Sequence, residues 1–270
     1  MNADARPRTV LDLPAWKAAG RKLVMLTCYD AVFARLLDRA AVDVLLVGDS
    51  LNQVIAGQET TLSATLDQMI YHAAAVRRGA PGALLFVDLP FLTYQVSLPE
   101  AIRNAGRVLQ ETDANGVKLE GGRHMADTVS ALVERGIPVM GHLGLTPQSV
   151  HALGGYRVQG REAAAADRLL EDARAIEAAG ACAIVLELVP AELARRVSAA
   201  LTIPTIGIGA GPGCDGQVLV LHDMLGLNEG FSPKFLRRFA ELGGAVRDAV
   251  HTYADEVRAG RYPGREHSFE

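Results

Sequence analysis

The feature that most constrains the fold of this 270-residue chain is a regular alternation of short apolar runs with longer stretches rich in Ala, Arg and Glu. The runs are almost continuously apolar, which is typical of parallel strands covered on both faces rather than of half-exposed strands. The expected strands are Leu23–Thr27, Val44–Gly48, Ala83–Leu89, Gly116–Glu120, Ile137–His142, Ala181–Leu188, Pro204–Ile208 and Gln217–His222. Strands in this number, alternating with helices, predict an α/β fold of the (β/α)8 TIM barrel type.

The stretches between the runs carry the usual signals of helix ends. Pro99 and Glu100 suit a first helical turn, and Gly79, Gly136 and Gly180 stand where glycine commonly follows or ends a helix. The expected helices are Ala31–Ala41, Leu66–Gly79, Pro99–Asp113, Met125–Gly136, Glu162–Gly180, Pro190–Leu201 and a long closing helix, Phe235–Ala259.

The absence of any linker-like or low-complexity segment predicts one domain over residues 1–270. An extra N-terminal helix is expected at residues 8–19, and a C-terminal tail at residues 260–270. A doubly wound open sheet is the alternative, because the connection between the last two strands is too short for a full helix.

Composition excludes several classes of protein. With 49% hydrophobic and 21% charged residues the chain is globular, and Lys plus Arg (27) fall below Asp plus Glu (31), which argues against a nucleic-acid partner. The widely spaced Cys28, Cys182 and Cys214 favour buried thiols over a disulfide framework or a zinc site. No stretch approaches the ~20 apolar residues of a membrane span. We therefore expect a cytoplasmic protein without a membrane partner.

Acidic residues recur where the apolar runs end, at Asp49, Asp88, Glu120 and Glu187, and His142 ends the fifth run in the same way. In parallel α/β folds the active site lies outside the carboxyl ends of the strands, so these side chains are expected to converge. Like charges placed together are costly unless a cation offsets them, and oxygen ligands favour Mg²⁺ or Mn²⁺ over zinc. The sequence predicts Asp49 and Asp88 as direct metal ligands, with Glu120 binding directly or through water.

Each of these residues also has an ordinary structural interpretation. An Asp after a strand is often a turn residue or a helix N-cap, and His142 could be a histidine at the edge of the core with satisfied hydrogen bonds. Lys118 is more informative, because a strand covered on both faces gives its ammonium no solvent and the charge needs acidic partners.

The Gly207–Gly211 segment could let backbone N–H groups approach an anionic ligand, or it could form a tight corner of the barrel. It is not a dinucleotide fingerprint, and no P-loop, GxSxG or HExxH motif occurs in the chain.

A series of longer motifs runs through the chain in order, and the longest is GHLGLTPQSV at Gly141–Val150. The others are Val47–Ser50, Ala74–Pro81, Asp88–Phe91, Val117–Gly122, Val158–Arg161, Gly207–Gly211 and Tyr262–Gly264. Over nearly the whole chain these motifs resemble the ketopantoate hydroxymethyltransferase family of the phosphoenolpyruvate/pyruvate barrel superfamily. The resemblance implies transfer of a hydroxymethyl group from 5,10-methylenetetrahydrofolate to 3-methyl-2-oxobutanoate, giving 2-dehydropantoate in the first step of pantothenate biosynthesis.

The resemblance also implies roles for particular residues. Asp49 and Asp88 would be Mg²⁺ ligands, with one ion per subunit and Glu120 completing the metal site. The partners would be an oxo acid and a folate, in a homo-oligomer that is often a decamer.

For the oxo acid, the resemblance implies Ser50, Lys118 and His142 as binding residues beside the two aspartates. Glu187 would be the general base that removes the proton next to the ketone. The metal would stabilise the enolate that forms.

Some positions depart from the family pattern: Asn52 and Gln53 replace a glycine and an apolar residue, and Gln58, Arg157 and the Gly213–Cys214 pair differ as well. None is a predicted catalytic group. Two alternative functions remain. A metal-dependent carbon–carbon lyase of the same superfamily would need a KKCGH-type loop, which is missing from the sequence. A catalytically silent barrel would have lost some of the predicted site residues, all of which are present.

Overall fold

Eight parallel strands close into a barrel in the order in which they occur in the chain, which confirms the predicted (β/α)8 fold class. The structure is a computed structural model that describes residues 8–269. Pairing of β1 with β8 closes the sheet and overturns the open-sheet alternative. The strands are β1 Leu23–Thr27, β2 Val44–Val47, β3 Leu84–Asp88, β4 Gly116–Glu120, β5 Val139–Gly144, β6 Ala183–Glu187, β7 Thr205–Ile208 and β8 Gly216–Leu219.

The chain divides into two compact units, one that ends at Val220 and one that begins at Leu221. The expectation of one domain over residues 1–270 stays a prediction, and residues 1–7 and 270 lie outside the described part of the chain. The helices of the first unit are α1 Asp12–Ala18, α2 Ala31–Arg39, α3 Leu51–Val54, α4 Leu66–Gly79, α5 Leu98–Thr112, α6 Ala126–Val133, α7 Ala163–Ala178 and α8 Ala191–Ala200. Short 3-10 turns occur at Arg123–Met125 and Pro147–Ser149.

Helices α2 and α4 begin at side-chain caps. Asp30 accepts hydrogen bonds from the N–H groups of Val32 and Phe33 at the start of α2. Thr65 and Gln68 form a reciprocal capping box at the start of α4. These caps satisfy N–H groups that the helix itself leaves without partners, so they fix where each helix begins.

The core fills the inside of the barrel. The extra helix α1 contributes Leu13, 1% exposed, to the apolar cluster that the strands form inside the barrel. The strand residues of this cluster are Leu23, Met25, Val44, Leu46, Leu84, Phe86, Met140, Ala183, Val185, Ile206 and Val218. Inside the barrel this cluster is apolar, whereas the buried Asp49, Asp88 and Glu120 lie at the carboxyl ends of strands.

The connection between β7 and β8, residues 209–215, contains no helix, as its length predicts. The Gly207–Gly211 segment begins this turn. A Cβ at Gly211 would lie 2.5 Å from the Cβ of Ala191, so the backbone passes close to α8 there. This contact fits the interpretation as a tight corner of the barrel.

The structure corrects two predictions for the last part of the chain. The strand expected to end at His222 ends at Leu219, and Leu221–Met224 is a short helix, α9. The closing helix, expected over Phe235–Ala259, is α10 and spans Leu242–Arg258.

Hydrogen bonds between residues far apart in the sequence explain the late start of α10. The N–H of Phe239 donates to the carbonyl oxygen of Met224 (2.8 Å), so this backbone is committed to partners outside a helix. The guanidinium of Arg238 caps the carbonyl oxygens of Asn228, Glu229 and Phe231. The bond from the N–H of Phe239 replaces the i−4 bond that the predicted helix would have made there. A 3-10 turn, Arg265–His267, follows. Among the described helices, none is both long and apolar enough to cross a bilayer.

Candidate active site at the barrel mouth

Three carboxylates lie together at the carboxyl ends of β2, β3 and β4. Asp49 follows β2, Asp88 ends β3 and Glu120 ends β4, and we refer to these three residues as the carboxylate cluster. Each is 5% exposed or less. The sequence predicted this convergence from the position of each acid at the end of an apolar run.

Lys118 supplies the positive charge nearest to the carboxylate cluster. The register of β3 and β4 sets Lys118 beside Asp88, and its Nζ donates to Asp88 Oδ1 at 2.6 Å. The other oxygen, Oδ2, accepts from the N–H of Asp49 at 3.1 Å. Burial lowers the pKa of Lys118, but the charges of Asp88, Glu120 and Asp49 outweigh burial and raise the pKa above its ordinary value. Lys118 is therefore an ammonium ion, with the acidic partners that the sequence required.

The carboxylate cluster still carries more negative than positive charge. Burial, followed by the charges of Asp88 and Glu120, raises the pKa of Asp49 to about 8, although Lys118 and a hydrogen bond from Gln148 act against the shift. A divalent cation beside these carboxylates would offset this repulsion and favour their ionised forms.

The donor set fits a hard divalent cation. Among residues 8–269, no three or more His, Cys, Asp or Glu side chains are placed so that they alone could hold a metal ion. Mg²⁺ usually takes one or two protein carboxylates and leaves its other positions to water and substrate. The oxygen atoms of Asp49 and Asp88 match that requirement, and the assignment of Asp49, Asp88 and Glu120 as ligands stays a prediction.

His142 and Glu187 occupy the other side of the mouth, on β5 and β6, and we call them the His142–Glu187 pair. The Nε2 of His142 lies 3.2 Å from Glu187 Oε2, and Nδ1 lies 3.4 Å from Glu120 Oε1. Both ring nitrogens therefore face carboxylate oxygens of the mouth, although neither contact has the alignment of a hydrogen bond.

The same surroundings set the charge of His142. Burial and the positive charge of Lys118 lower its pKa, but the contacts with Glu120 and Glu187 and the charge of Glu120 outweigh them and raise the pKa to about 9. His142 is therefore a second cation of the mouth at neutral pH.

Gly144 fixes the backbone around Glu187. It is paired with Glu187 across β5 and β6 and has a φ of +92°. A Cβ at this position would lie 2.2 Å from the carbonyl oxygen of Glu187. Only glycine permits both the left-handed backbone and this close approach.

Three residues of the site were not predicted from the sequence: Tyr29, Tyr94 and Gln148. The buried Tyr29 shares a hydrogen bond of 2.8 Å with Ser50 Oγ, which fixes a side chain expected to hold the substrate. The hydroxyl of Tyr94 accepts from the N–H of Glu120 at 3.0 Å. Gln148 donates from Nε2 to Asp49 Oδ2 at 2.9 Å. The only sequence signal for Gln148 was its place in the Gly141–Val150 motif.

The departures at Asn52 and Gln53 act on the loop after β2. The amide nitrogen of the buried Asn52 donates to Thr60 O (2.7 Å) and Ser63 Oγ (2.9 Å), which ties the loop to itself. Gln53 Nε2 donates to the hydroxyl of Tyr156 at 3.3 Å. Both side chains therefore organise loops around the mouth and leave the charged residues in place.

Comparisons with known proteins agree with this geometry. A family model described as ketopantoate hydroxymethyltransferase matches residues 7–265. A 3-methyl-2-oxobutanoate hydroxymethyltransferase of Pelobacter propionicus is 56% identical over 261 residues, which cover 97% of each chain. Its namesake in Geobacter sulfurreducens is 53% identical over 264 residues, 98% of this chain and 99% of that one.

Solved structures show the same fold at much lower identity. Phosphonopyruvate hydrolase in complex with oxalate and Mg²⁺ superposes with a TM-score of 0.64 at 12% identity, over 97% of this chain and 92% of that one. A 2,3-dimethylmalate lyase of the PEP mutase/isocitrate lyase superfamily superposes with a TM-score of 0.61 at 19% identity, over 94% of this chain and 89% of that one. Likeness at this level shows the fold, whereas the match over residues 7–265 and the full-length relatives show that the chain belongs to the ketopantoate hydroxymethyltransferase family.

Proposed function

We propose that this chain transfers a hydroxymethyl group from 5,10-methylenetetrahydrofolate to 3-methyl-2-oxobutanoate, giving 2-dehydropantoate, with one Mg²⁺ per subunit. Relatives at 52–56% identity over nearly their full length carry the name 3-methyl-2-oxobutanoate hydroxymethyltransferase. The observation that carries the proposal is that a buried carboxylate cluster with its lysine shares one barrel mouth with a separate carboxylate, Glu187, and that His142 lies between Glu120 and Glu187.

The carboxylate-cluster side would bind the oxo acid. Lys118 carries a full positive charge in a buried site, where a charge-assisted hydrogen bond to the substrate carboxylate is strong. Ser50, fixed by Tyr29, offers a second hydrogen bond to that carboxylate. A divalent cation held by Asp49 and Asp88, with Glu120 direct or through water, would supply positive charge to the ketone as negative charge develops on its oxygen.

The His142–Glu187 pair would move the proton. The carboxylate of Glu187 takes the proton from C3 of 3-methyl-2-oxobutanoate, and the electron pair of that C–H bond forms the enolate. The enolate carbon then bonds to the methylene carbon of the folate, and the carbon–nitrogen bond to the folate breaks as water supplies the hydroxyl oxygen. Tetrahydrofolate leaves with the proton that Glu187 had taken and one proton of the water. His142 contacts the oxo acid and, 3.2 Å from Glu187, holds a positive charge beside the carboxylate that receives the proton.

Turnover of 3-methyl-2-oxobutanoate tests the proposal. We expect 2-dehydropantoate to form only with 5,10-methylenetetrahydrofolate, to disappear with EDTA and to return with added Mg²⁺. Turnover that EDTA leaves unchanged would refute the proposal that the reaction requires Mg²⁺. Cleavage of a malate-type acid without folate would instead favour the lyase alternative. The structural neighbours of low identity support only a shared fold and do not support lyase activity. Assembly as a decamer and a cytoplasmic location stay predictions.

A further inference from the structure

We infer that Gln148 is a positioning residue that holds Asp49 in the orientation needed to bind the divalent cation. The inference rests on the proposed function, because it concerns how a proposed metal ligand is kept in place. Gln148 is buried in the 3-10 turn Pro147–Ser149, next to the mouth.

The side-chain amide of Gln148 has one possible orientation. Its Nε2 donates to the carbonyl oxygen of Leu89 (2.9 Å) as well as to Asp49 Oδ2 (2.9 Å), and a carbonyl oxygen can only accept. Its Oε1 accepts from Gln95 Nε2 at 3.1 Å. Rotating the amide by 180° would place oxygen against oxygen and nitrogen against nitrogen, so the donor must face Asp49.

Tyr94 reinforces that orientation. Its hydroxyl accepts from the N–H of Glu120 at 3.0 Å, and its nearest acceptor is Gln148 Oε1 at 2.8 Å, compared with 3.2 Å to the carbonyl oxygen of Glu120. The chain of donors therefore runs from the Glu120 backbone through Tyr94 to Gln148 and ends at Asp49.

The backbone of Gln148 acts on a second carboxylate. Its N–H donates to Glu120 Oε2 at 3.0 Å, so one residue binds two of the three members of the carboxylate cluster. Asp88 is held differently, by Lys118 and by the N–H of Asp49. Among the described residues, Gln148 is the hydrogen-bond donor to the carboxylate of Asp49, which would otherwise be buried beside two like charges with no fixed direction.

Substitution of the side chain separates the two contacts. Gln148→Leu keeps most of the volume and the backbone bond to Glu120 but removes the donor to Asp49. We measure Mn²⁺ binding, by calorimetry and by electron paramagnetic resonance, without oxo acid or folate. The dissociation constant is expected to rise about 10–100-fold, the usual loss when a residue that orients a metal ligand is removed. Tyr94→Phe, which keeps the ring, is expected to raise it several-fold.

A positioning role of Gln148 also predicts how KM and the saturated exchange rate change when its side chain is replaced. In Gln148→Leu the KM for the oxo acid should rise, whereas exchange of its C3 proton at saturating metal and substrate should stay near the wild-type rate. Loss of packing alone would lower the melting temperature and the saturated rate together. Gln110→Leu, at an exposed position of α5, is the matched control and should leave Mn²⁺ binding unchanged.

The Asp49→Ala variant separates the positioning role of Gln148 from the proposed metal site itself. If Asp49→Ala loses Mn²⁺ while Gln148→Leu binds it like the wild type, the positioning role is overturned and the proposed metal site stands. If Asp49→Ala also binds Mn²⁺ like the wild type, both are overturned. Should Gln148→Leu fail to fold, Tyr94→Phe decides, and wild-type Mn²⁺ affinity in that variant overturns the inference.

Discussion

The two sides of the barrel mouth differ in how completely their side chains are hydrogen-bonded. In the carboxylate cluster, Asp49, Asp88 and Glu120 each accept at least one aligned hydrogen bond of 3.1 Å or less. In the His142–Glu187 pair, the two ring nitrogens lie 3.2–3.4 Å from carboxylate oxygens without hydrogen-bond alignment. One side is held by aligned hydrogen bonds, and the other by ion pairs that lack this alignment.

The difference corresponds to two chemical tasks. A cation and a bound carboxylate need ligands already held in place, because each freely rotating ligand must be ordered on binding. A proton acceptor must change partners during the reaction, and catalytic hydrogen bonds are often long in the free enzyme and shorten only with substrate. The proposed function therefore assigns binding of the oxo acid to one side of the mouth and transfer of its proton to the other.

The largest effect on folding should come from breaking the buried ion pair at the carboxylate cluster. Asp88→Ala leaves the ammonium of Lys118 buried without its 2.6 Å partner, which typically costs about 3–5 kcal/mol. It should also weaken Mg²⁺-dependent binding of the oxo acid. Urea unfolding and calorimetry measure the two effects.

The matched control for Asp88→Ala is Asp67→Ala, which breaks a pair with Arg107 at a similar distance, 2.9 Å, but with Asp67 82% exposed. Exposed pairs contribute only about 0.2–1 kcal/mol. Equal losses in the two variants would contradict the view that the Asp88–Lys118 pair is a buried structural element.

The positive charge of His142 predicts that the stability of the metal-free protein depends on pH. The pKa of His142 is about 9 when folded and about 6.5 when unfolded, so its charged form stabilises the fold fully below about pH 6.5. This contribution, at most about 3 kcal/mol, is lost as the pH rises through 9. Urea unfolding in EDTA across this range should show a shallower decline in His142→Asn than in the wild type. Asp49, whose pKa is also raised, adds a decline in the same direction in both proteins. Identical slopes would show that His142 is not charged in the folded state.

Crowding the backbone beside Glu187 should affect the proton-moving side selectively. In Gly144→Ala the new methyl group would press on the carbonyl oxygen of Glu187, and overpacking of this kind costs about 1–3 kcal/mol. We expect exchange of the substrate's C3 proton to slow more than Mn²⁺ binding weakens. Gly106→Ala in α5, where nothing lies within 4 Å of the added carbon, should instead stabilise the protein by about 0.5–1 kcal/mol. Stronger loss of Mn²⁺ than of exchange would contradict the division of tasks.

The smallest effect is expected when one hydroxyl group is removed beside the carboxylate cluster. Tyr29→Phe removes the 2.8 Å hydrogen bond to Ser50, worth about 1 kcal/mol. The KM for the oxo acid should rise about fivefold, while the saturated exchange rate stays unchanged. Tyr71→Phe, at a position of α4 that is 70% exposed, should alter neither value. A lower saturated rate with an unchanged KM would place Tyr29 on the proton-moving side instead.

The sequence was sufficient to predict that eight strands exist and that acidic residues lie at the ends of several of them. Continuous apolar runs have few other uses in a globular chain, and Asp88, Lys118 and Glu120 lie within or at the end of such runs. Because all parallel strands point the same way, a position along each strand is enough to predict which residues meet.

The residues that were missed act through contacts that strand patterns do not encode. Gln148 and Asp49 are 99 positions apart, and their hydrogen bond depends on where a loop turn lies above the barrel. The start of α10 was predicted too early for a related reason, since the N–H of Phe239 finds a partner in Met224 that no local pattern reveals. Local periodicity predicts elements, whereas loop positions depend on long-range hydrogen bonds.

Exchange of the C3 proton of 3-methyl-2-oxobutanoate with solvent deuterium, followed by NMR with Mg²⁺ and without folate, tests the central division most directly. Glu187→Gln should slow the exchange about 10²–10⁴-fold, the contribution of a general base, and should leave Mg²⁺-dependent binding of the oxo acid unchanged. Glu192→Gln, on the exposed first turn of α8, is the matched control and should exchange like the wild type. Wild-type exchange in Glu187→Gln would contradict the account, because the proton would then leave through another group.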